Sequence, residues 1–172
     1  GTNLTYQWQV NSGSGFTNVT DNATYSGTAT ATLTINNLVL TMNGYLIRVV
    51  VSGTCLPPVT SNFAPLRVYM EPSIITEPAD AEVCDQTGAT FFSQVFNTGA
   101  GETTVWQVNQ GAGWSNLADG ALYQGTQTPQ LVIMSAATAM NGWIYRLEIT
   151  GPCGLYYTRE ALLTVNTPPT AQ

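Results

Sequence analysis

The sequence predicts an all-β protein: tandem β-sandwich domains joined end to end, the first lacking its N-terminal strands. Three observations carry this. Shifted by 98 positions, Trp8–Thr60 falls on Trp106–Thr158 without a gap, with 22 identities in 53 positions, the signature of two copies of one small domain. The segments between Gly, Asn and Pro are short and rich in Val, Ile, Thr and Tyr, as in TYQWQV, ATLTIN and YLIRVVV, which is how strands read. No stretch sustains a helical period.

The elements follow in order. Copy 1 spans 1–69 and offers TYQWQV, ATLTIN, YLIRVVV and PLRVY; residues 70–72 are a linker. Copy 2 spans 73–167. Its strands are expected around Ile74–Ile75, over Ala89–Phe96 with Phe91, Ser93 and Val95 on one face, over Thr104–Val108, Leu131–Met134 and Trp143–Thr150, and over Tyr157–Val165. NSGSG and NQGAG read as tight hairpin loops, and MNG precedes the sixth strand in both copies. Residues 168–172 read as a linker and the start of a following repeat, because VNTPPTAQ matches VYMEPSII. The counterpart of the stretch from Pro72 to Trp106 would begin ahead of Gly1. The strands it would give copy 1 are expected either from the same chain upstream or from a second chain by strand exchange.

Composition narrows the function. Charged residues are 8% of the chain, and four Arg (Arg48, Arg67, Arg146 and Arg159) face ten acids for a net charge of -6. That balance excludes a phosphate-binding surface, and so nucleic acid, and a polybasic membrane anchor. No apolar run reaches the roughly 20 residues of a spanning helix, so no direct membrane insertion is expected. The sequence has no His and no Lys, which removes Ser-His-Asp, Cys-His and Schiff-base chemistry. No enzyme and no cofactor are expected.

Three cysteines remain: Cys55 and Cys153 are twins, and the twin of Cys84 would lie ahead of Gly1. One disulfide per copy is the simplest pairing, Cys84 with Cys153, with Cys55 bonded to a cysteine outside this sequence; buried free thiols are the alternative. A bridge closing so long a loop stabilises by roughly 4 kcal/mol in the chain-entropy picture and implies an oxidising compartment.

A Trp on the third strand, followed after Trp106 by MNGWIYRL, resembles the immunoglobulin fold. Trp8 and Trp106 then belong to the core, and Tyr145 falls at the tyrosine-corner position, which copy 1 fills with Ile47. Leu147 stands where the family places its second inter-sheet cysteine. The run of EPADAEVC, ATF, WQV, MNG, GPC and LTV is similar to the immunoglobulin-like repeats of very large secreted and surface proteins of Bacteroidota bacteria. The resemblance implies an extracellular, non-catalytic repeat of a cell-surface adhesin, stalk or filament, with neighbouring repeats of the same chain as partners. The alternatives are a glycan- or protein-binding module, or a spacer of a secreted hydrolase.

Residues without a twin of like chemistry are the candidates for a private site. Tyr156 and Tyr157 align with Pro58 and Val59, so the fold does not require aromatics there. With Arg159, and with Trp114 in spite of its aromatic twin Phe16, they are the expected ligand contacts, at a loop end where this fold binds partners. Glu77, Asp80 and Asp85 are weak calcium candidates near the junction, since carboxylate clusters hold Ca²⁺ through six to eight oxygens. No D-x-[DN]-x-[DN]-G loop accompanies them.

Overall fold

The computed structural model describes residues 3–96 and 101–167. The expected linker over 168–172 lies outside the described residues. The chain divides into two units, after Met70.

In unit 1, β1 (Thr5–Asn11), β2 (Phe16–Asn18), β5 (Leu46–Ser52) and β6 (Val59–Thr60) form one sheet in the order β2-β1-β5-β6, with β7 (Ala64–Pro65) also on β5. β3 (Tyr25–Ser26) and β4 (Thr34–Ile35) pair separately, and a 3-10 turn covers Leu40–Met42. The β1–β2 hairpin is tied by Asn11, whose Oδ1 accepts the N–H of Gly13 at 2.8 Å and of Gly15 at 3.0 Å. Both glycines have φ above +100°, a backbone that side chains rarely adopt. This is why the loop reads N-x-G-x-G in both copies.

Unit 2 repeats that sheet and adds what faces it. β12 (Thr103–Asn109), β13 (Trp114–Asn116), β16 (Ile144–Gly151), β17 (Gly154–Tyr157), β18 (Ala161–Asn166) and β9 (Ala81–Cys84) form one sheet, β13-β12-β16-β18-β9, with β17 also on β16. β10 (Thr87–Phe92), β15 (Gln130–Ala136) and β14 (Tyr123–Gln124) form another, and β8 (Ser73–Thr76) pairs with β11 (Gln94–Phe96). A 3-10 turn covers Thr138–Met140. β9 runs parallel to β18, with Cys84 opposite Asn166; the other pairings among the described residues of the unit are antiparallel. This order is that of an immunoglobulin-like sandwich.

The core of unit 2 is built from alternate residues of both sheets. Phe91, Trp106, Leu131, Ile133, Tyr145 and Leu147 are all 1% exposed or less. Phe91 stacks on Tyr145 at 4.8 Å and lies 6.3 Å from Trp106. The Trp106 Nε1–H donates to the Thr128 carbonyl at 2.9 Å, and Trp8 makes the same bond to Thr30 at 2.9 Å. Tyr145 departs from the expected tyrosine corner: its hydroxyl meets that of Tyr123 at 3.4 Å rather than upstream backbone, and burial raises its pKa far above the ordinary phenol range.

Two expected strands are broken, each by a hydroxyl. Strand Ala89–Phe96 parts at Ser93, which is fully buried; its N–H turns to Pro129 O and its Oγ donates to Thr76 O at 3.0 Å. Strand Tyr157–Val165 parts at Thr158, whose Oγ1 accepts the Leu147 N–H at 2.9 Å and donates to Arg159 O. Ser61 does the same against Val49 in unit 1.

The expected Cys84–Cys153 bridge does not form, and the register explains why. β18 pairs Ala161 with Tyr145 and runs back past the start of β16, so Cys84, beside Asn166, sits at that end of the sandwich. Cys153 lies in the turn beyond the opposite end of β16. The eight residues of β16 span ~27 Å at about 3.4 Å each, whereas bridged Cα atoms lie within ~7 Å.

Candidate functional site

Side chains at 105, 107 and 109 of β12 and at 144, 146 and 148 of β16 point away from the core, because their neighbours point in. Gln107 lies opposite Arg146 in the register, and also opposite Asn116 of β13. Its amide is spent: Nε2 donates to Asn116 Oδ1 at 2.8 Å and to Glu148 Oε2 at 2.8 Å, and Oε1 accepts the Arg146 Nε–H at 2.9 Å. Gln107 is only 6% exposed, so this network replaces the water it has lost.

Held by that bond, the Arg146 guanidinium lies between two rings, 3.9 Å from the Trp114 centroid and 3.9 Å from that of Tyr157. The line Trp114–Arg146–Tyr157 runs from β13 over β12 to β16 and β17 on the outer face. A guanidinium over the face of an aromatic ring is attracted by its quadrupole, so three side chains that would otherwise be mobile share one arrangement. Tyr157 keeps 41% of its surface exposed. The result is an amphipathic row of two rings and a cation on the outer face. It has no nucleophile paired with a base.

Unit 1 contains the same frame with one ring fewer. Arg48 donates through Nε to Gln9 Oε1 at 2.8 Å and lies 3.8 Å from the Phe16 centroid, and Gln9 donates to Asn18 at 2.8 Å. The register also corrects the twin of Tyr157. Val50 pairs with Thr60 as Glu148 pairs with Tyr157, so Tyr157 corresponds to Thr60 and Tyr156 to Val59. The β5–β6 turn is one residue longer than its counterpart.

The four expected contact residues separate. Trp114 and Tyr157 come together through Arg146. Tyr156 pairs with Ile149 and so faces the other side of the sheet; its hydroxyl donates to Cys153 O at 3.4 Å. Burial and then the neighbouring Glu71 carboxylate raise its pKa. Arg159 turns away to Asp80, with Nη2 at 2.6 Å from the carboxylate. Arg159 and its neighbours occupy two of the calcium candidates: Glu77 accepts the Arg159 backbone N–H at 2.8 Å, and Asp80, beyond its ion pair with the Arg159 guanidinium, accepts the Leu162 N–H at 3.0 Å. Asp85 accepts the N–H and Oγ1–H of Thr138 at 2.8 and 2.9 Å. Among the described residues no three His, Cys, Asp or Glu are grouped to hold a metal.

Sequence reasoning passed over Gln107, Arg146, Glu148 and Asn116. A signal existed: Gln, Arg and Asn recur at all three twin positions on strands otherwise apolar or Thr-rich.

No protein-family model matches the sequence, and no curated protein sequence matches it. Among solved structures the chain is similar to a titin M10–obscurin-like 1 Ig complex, at 20% identity over 58% of this chain and 97% of that chain with TM-score 0.47. It is similar to a chimeric titin Z1Z2 carrying a decorin peptide, at 19% identity over 59% and 99% with TM-score 0.48. It is also similar to a twitchin kinase fragment of C. elegans with kinase and immunoglobulin domains, at 18% identity over 58% and 22% with TM-score 0.47.

Proposed function

We propose that the chain is a non-catalytic structural repeat of an extracellular, cell-surface adhesin, stalk or filament, of the kind built by Bacteroidota bacteria, in which neighbouring repeats space or present an adhesive region. The observation that supports this is the recurrence of scaffold contacts residue for residue. Trp to Thr, Gln to Arg, Asp to Thr and Asn to the two loop glycines are bonded alike in both units. Side chains that recur in this way serve the unit that repeats. Antibodies raised against the chain should label intact cells of its source as strongly as permeabilised ones. Labelling that needs permeabilisation would sink the extracellular reading.

A second reading has one observation in its favour. The third member of the Trp114–Arg146–Tyr157 line exists only in unit 2, where unit 1 has Thr60, so the fold does not need it. In that reading unit 2 is a glycan- or protein-binding module. On a glycan and extracellular-protein array, the double variant Trp114→Ala, Tyr157→Ala should lose whatever the parent chain captures. An array that captures nothing with the parent leaves the spacer reading alone.

A further inference from the structure

The two cysteines of unit 2 are at opposite ends of the sandwich, and each is beside a point where the chain passes through that end. Cys84 is the register partner of Asn166, and the N–H of Asp85 donates to Asn166 O at 2.8 Å. Asn166 closes the last strand, so Cys84 marks the end where the chain leaves. Cys153 marks the other end: Tyr156 bonds its carbonyl and lies against the Glu71 carboxylate, and Glu71 is the first residue of the unit. Both cysteines are exposed.

The repeat sets how much chain separates these places in consecutive copies. Asn141 Oδ1 accepts the Val165 N–H at 3.0 Å just as Asn43 Oδ1 accepts the Val68 N–H at 3.0 Å. Val165 therefore corresponds to Val68, and the position after Thr167 corresponds to Glu71. From Asn166, beside Cys84, to the Glu71 position of a following copy is two residues, a reach of about 7 Å at most. A disulfide needs its Cα atoms within roughly 4.4–6.8 Å, so both cysteines must stand at one junction. The short link brings the strand-end cysteine of one copy and the turn cysteine of the next to the same junction, whereas the two cysteines of one copy stand at opposite ends.

We propose that these cysteines bond repeat to repeat: Cys84 of one copy with the turn cysteine equivalent to Cys153 of the copy that follows. The inference rests on reading the chain as a piece of an end-to-end array. The bond forms by thiol–disulfide exchange. Two thiols give up two protons and two electrons to a disulfide oxidant, such as oxidised glutathione, which leaves as two thiols. Each junction then carries two covalent links, the peptide linker and the bridge, which limits hinging between copies. The bridge also accounts for a cysteine at each end of a unit whose core, with Trp106 and Tyr145 fully buried, needs no staple.

The test adds one copy to the full chain: residues 73–167 repeated after Pro169. The extended protein is oxidised with glutathione disulfide and peptide-mapped without reduction. The expected product joins Cys84 of the original copy to Cys153 of the appended one. Cys84→Ser in the original copy should abolish the bridge, and the same change in the appended copy should leave it intact. A same-copy Cys84–Cys153 peptide overturns the proposal. So do thiols that remain fully alkylatable in a protein whose appended copy is folded by its dispersed methyl spectrum, with the array reading left standing. An appended copy that fails to fold overturns both.

Discussion

Arg146 holds its guanidinium 3.9 Å from the centroid of Trp114 and donates its Nε–H to Gln107 Oε1 at 2.9 Å. Arg146→Met should cost unit 2 about 2–3 kcal/mol in urea unfolding, because it removes the cation and strands the buried Gln107 oxygen. Tyr157→Ala should cost about 1 kcal/mol. The double variant should show a coupling of roughly 0.5–1 kcal/mol between them. Strict additivity would mean that the ring and the guanidinium are neighbours without interaction.

Three aspartates give the chain an acid-sensitive stability. Asp119 Oδ1 accepts the Thr126 N–H and Oγ1–H, both at 2.8 Å. Asp21 is bonded alike to Thr28, and Asp85 to Thr138. These bonds favour the ionised form and hold all three carboxyls below the usual range: the backbone bond dominates at Asp119, and the threonine hydroxyl at Asp21 and Asp85. A lowered folded pKa means stability that is complete above the unfolded value near 4 and is lost as pH falls through the folded one. Melting temperature should therefore be flat from pH 7 to about 5 and fall below about 4. Asn at all three positions should flatten that fall while lowering the melting temperature at pH 7. An unchanged acid slope would assign it to other carboxylates.

Much of this fold is legible in the sequence, because its repeat marks the residues that the fold itself uses. Trp106, Gly111, Gly113 and Gly125 all have twins, and each does the same task in both units. What escapes are the places where a side chain replaces a ladder bond. Ser93 and Thr158 read as ordinary strand residues, yet each breaks its strand by taking a backbone group's role. Strand β9 escapes because EPADAEVC is too acidic and Pro-flanked to read as one, and its parallel pairing with β18 is what places Cys84. Counting twins pairs Cys84 with Cys153, but only the register tells at which end each one lies. The outer network escapes for a further reason. Gln107 and Arg146 are identical in both copies, and identity between copies argues for scaffold rather than for a site.

Two glycines of unit 2 should respond differently to the same change. At Gly125 (φ +73) a Cβ would overlap the Gln130 carbonyl oxygen, whereas at Gly111 (φ +100) it meets nothing within 4 Å. Gly111→Ala should cost only backbone strain, about 1–2 kcal/mol. Gly125→Ala adds a clash with backbone that cannot yield without breaking the turn held by Thr128, whose Oγ1 donates to Gly125 O at 3.0 Å and lies 2.9 Å from Gln130 O. It should cost at least twice as much, read as the shift in the unit 2 melting transition. Equal costs would show that the turn can open.

The twin tryptophans test how independently the two units stand. Trp106 is fully buried, with Phe91 and Tyr145 packed over the same core. Trp8 keeps its bond to Thr30 but is only half-buried. Replacing a buried aromatic by Ala costs about 3–5 kcal/mol, from lost transfer energy plus the cavity. Where water already reaches the ring the cavity contribution shrinks, and about 1–2 kcal/mol is expected. Trp106→Ala should therefore lower the unit 2 transition by well over the amount that Trp8→Ala lowers that of unit 1. Each change should leave the other unit's transition in place. Calorimetry resolves the two events, and the fluorescence of the remaining tryptophans assigns them. If Trp106→Ala displaced both transitions together, the chain would unfold as one cooperative body, and the repeat would no longer be the unit of stability.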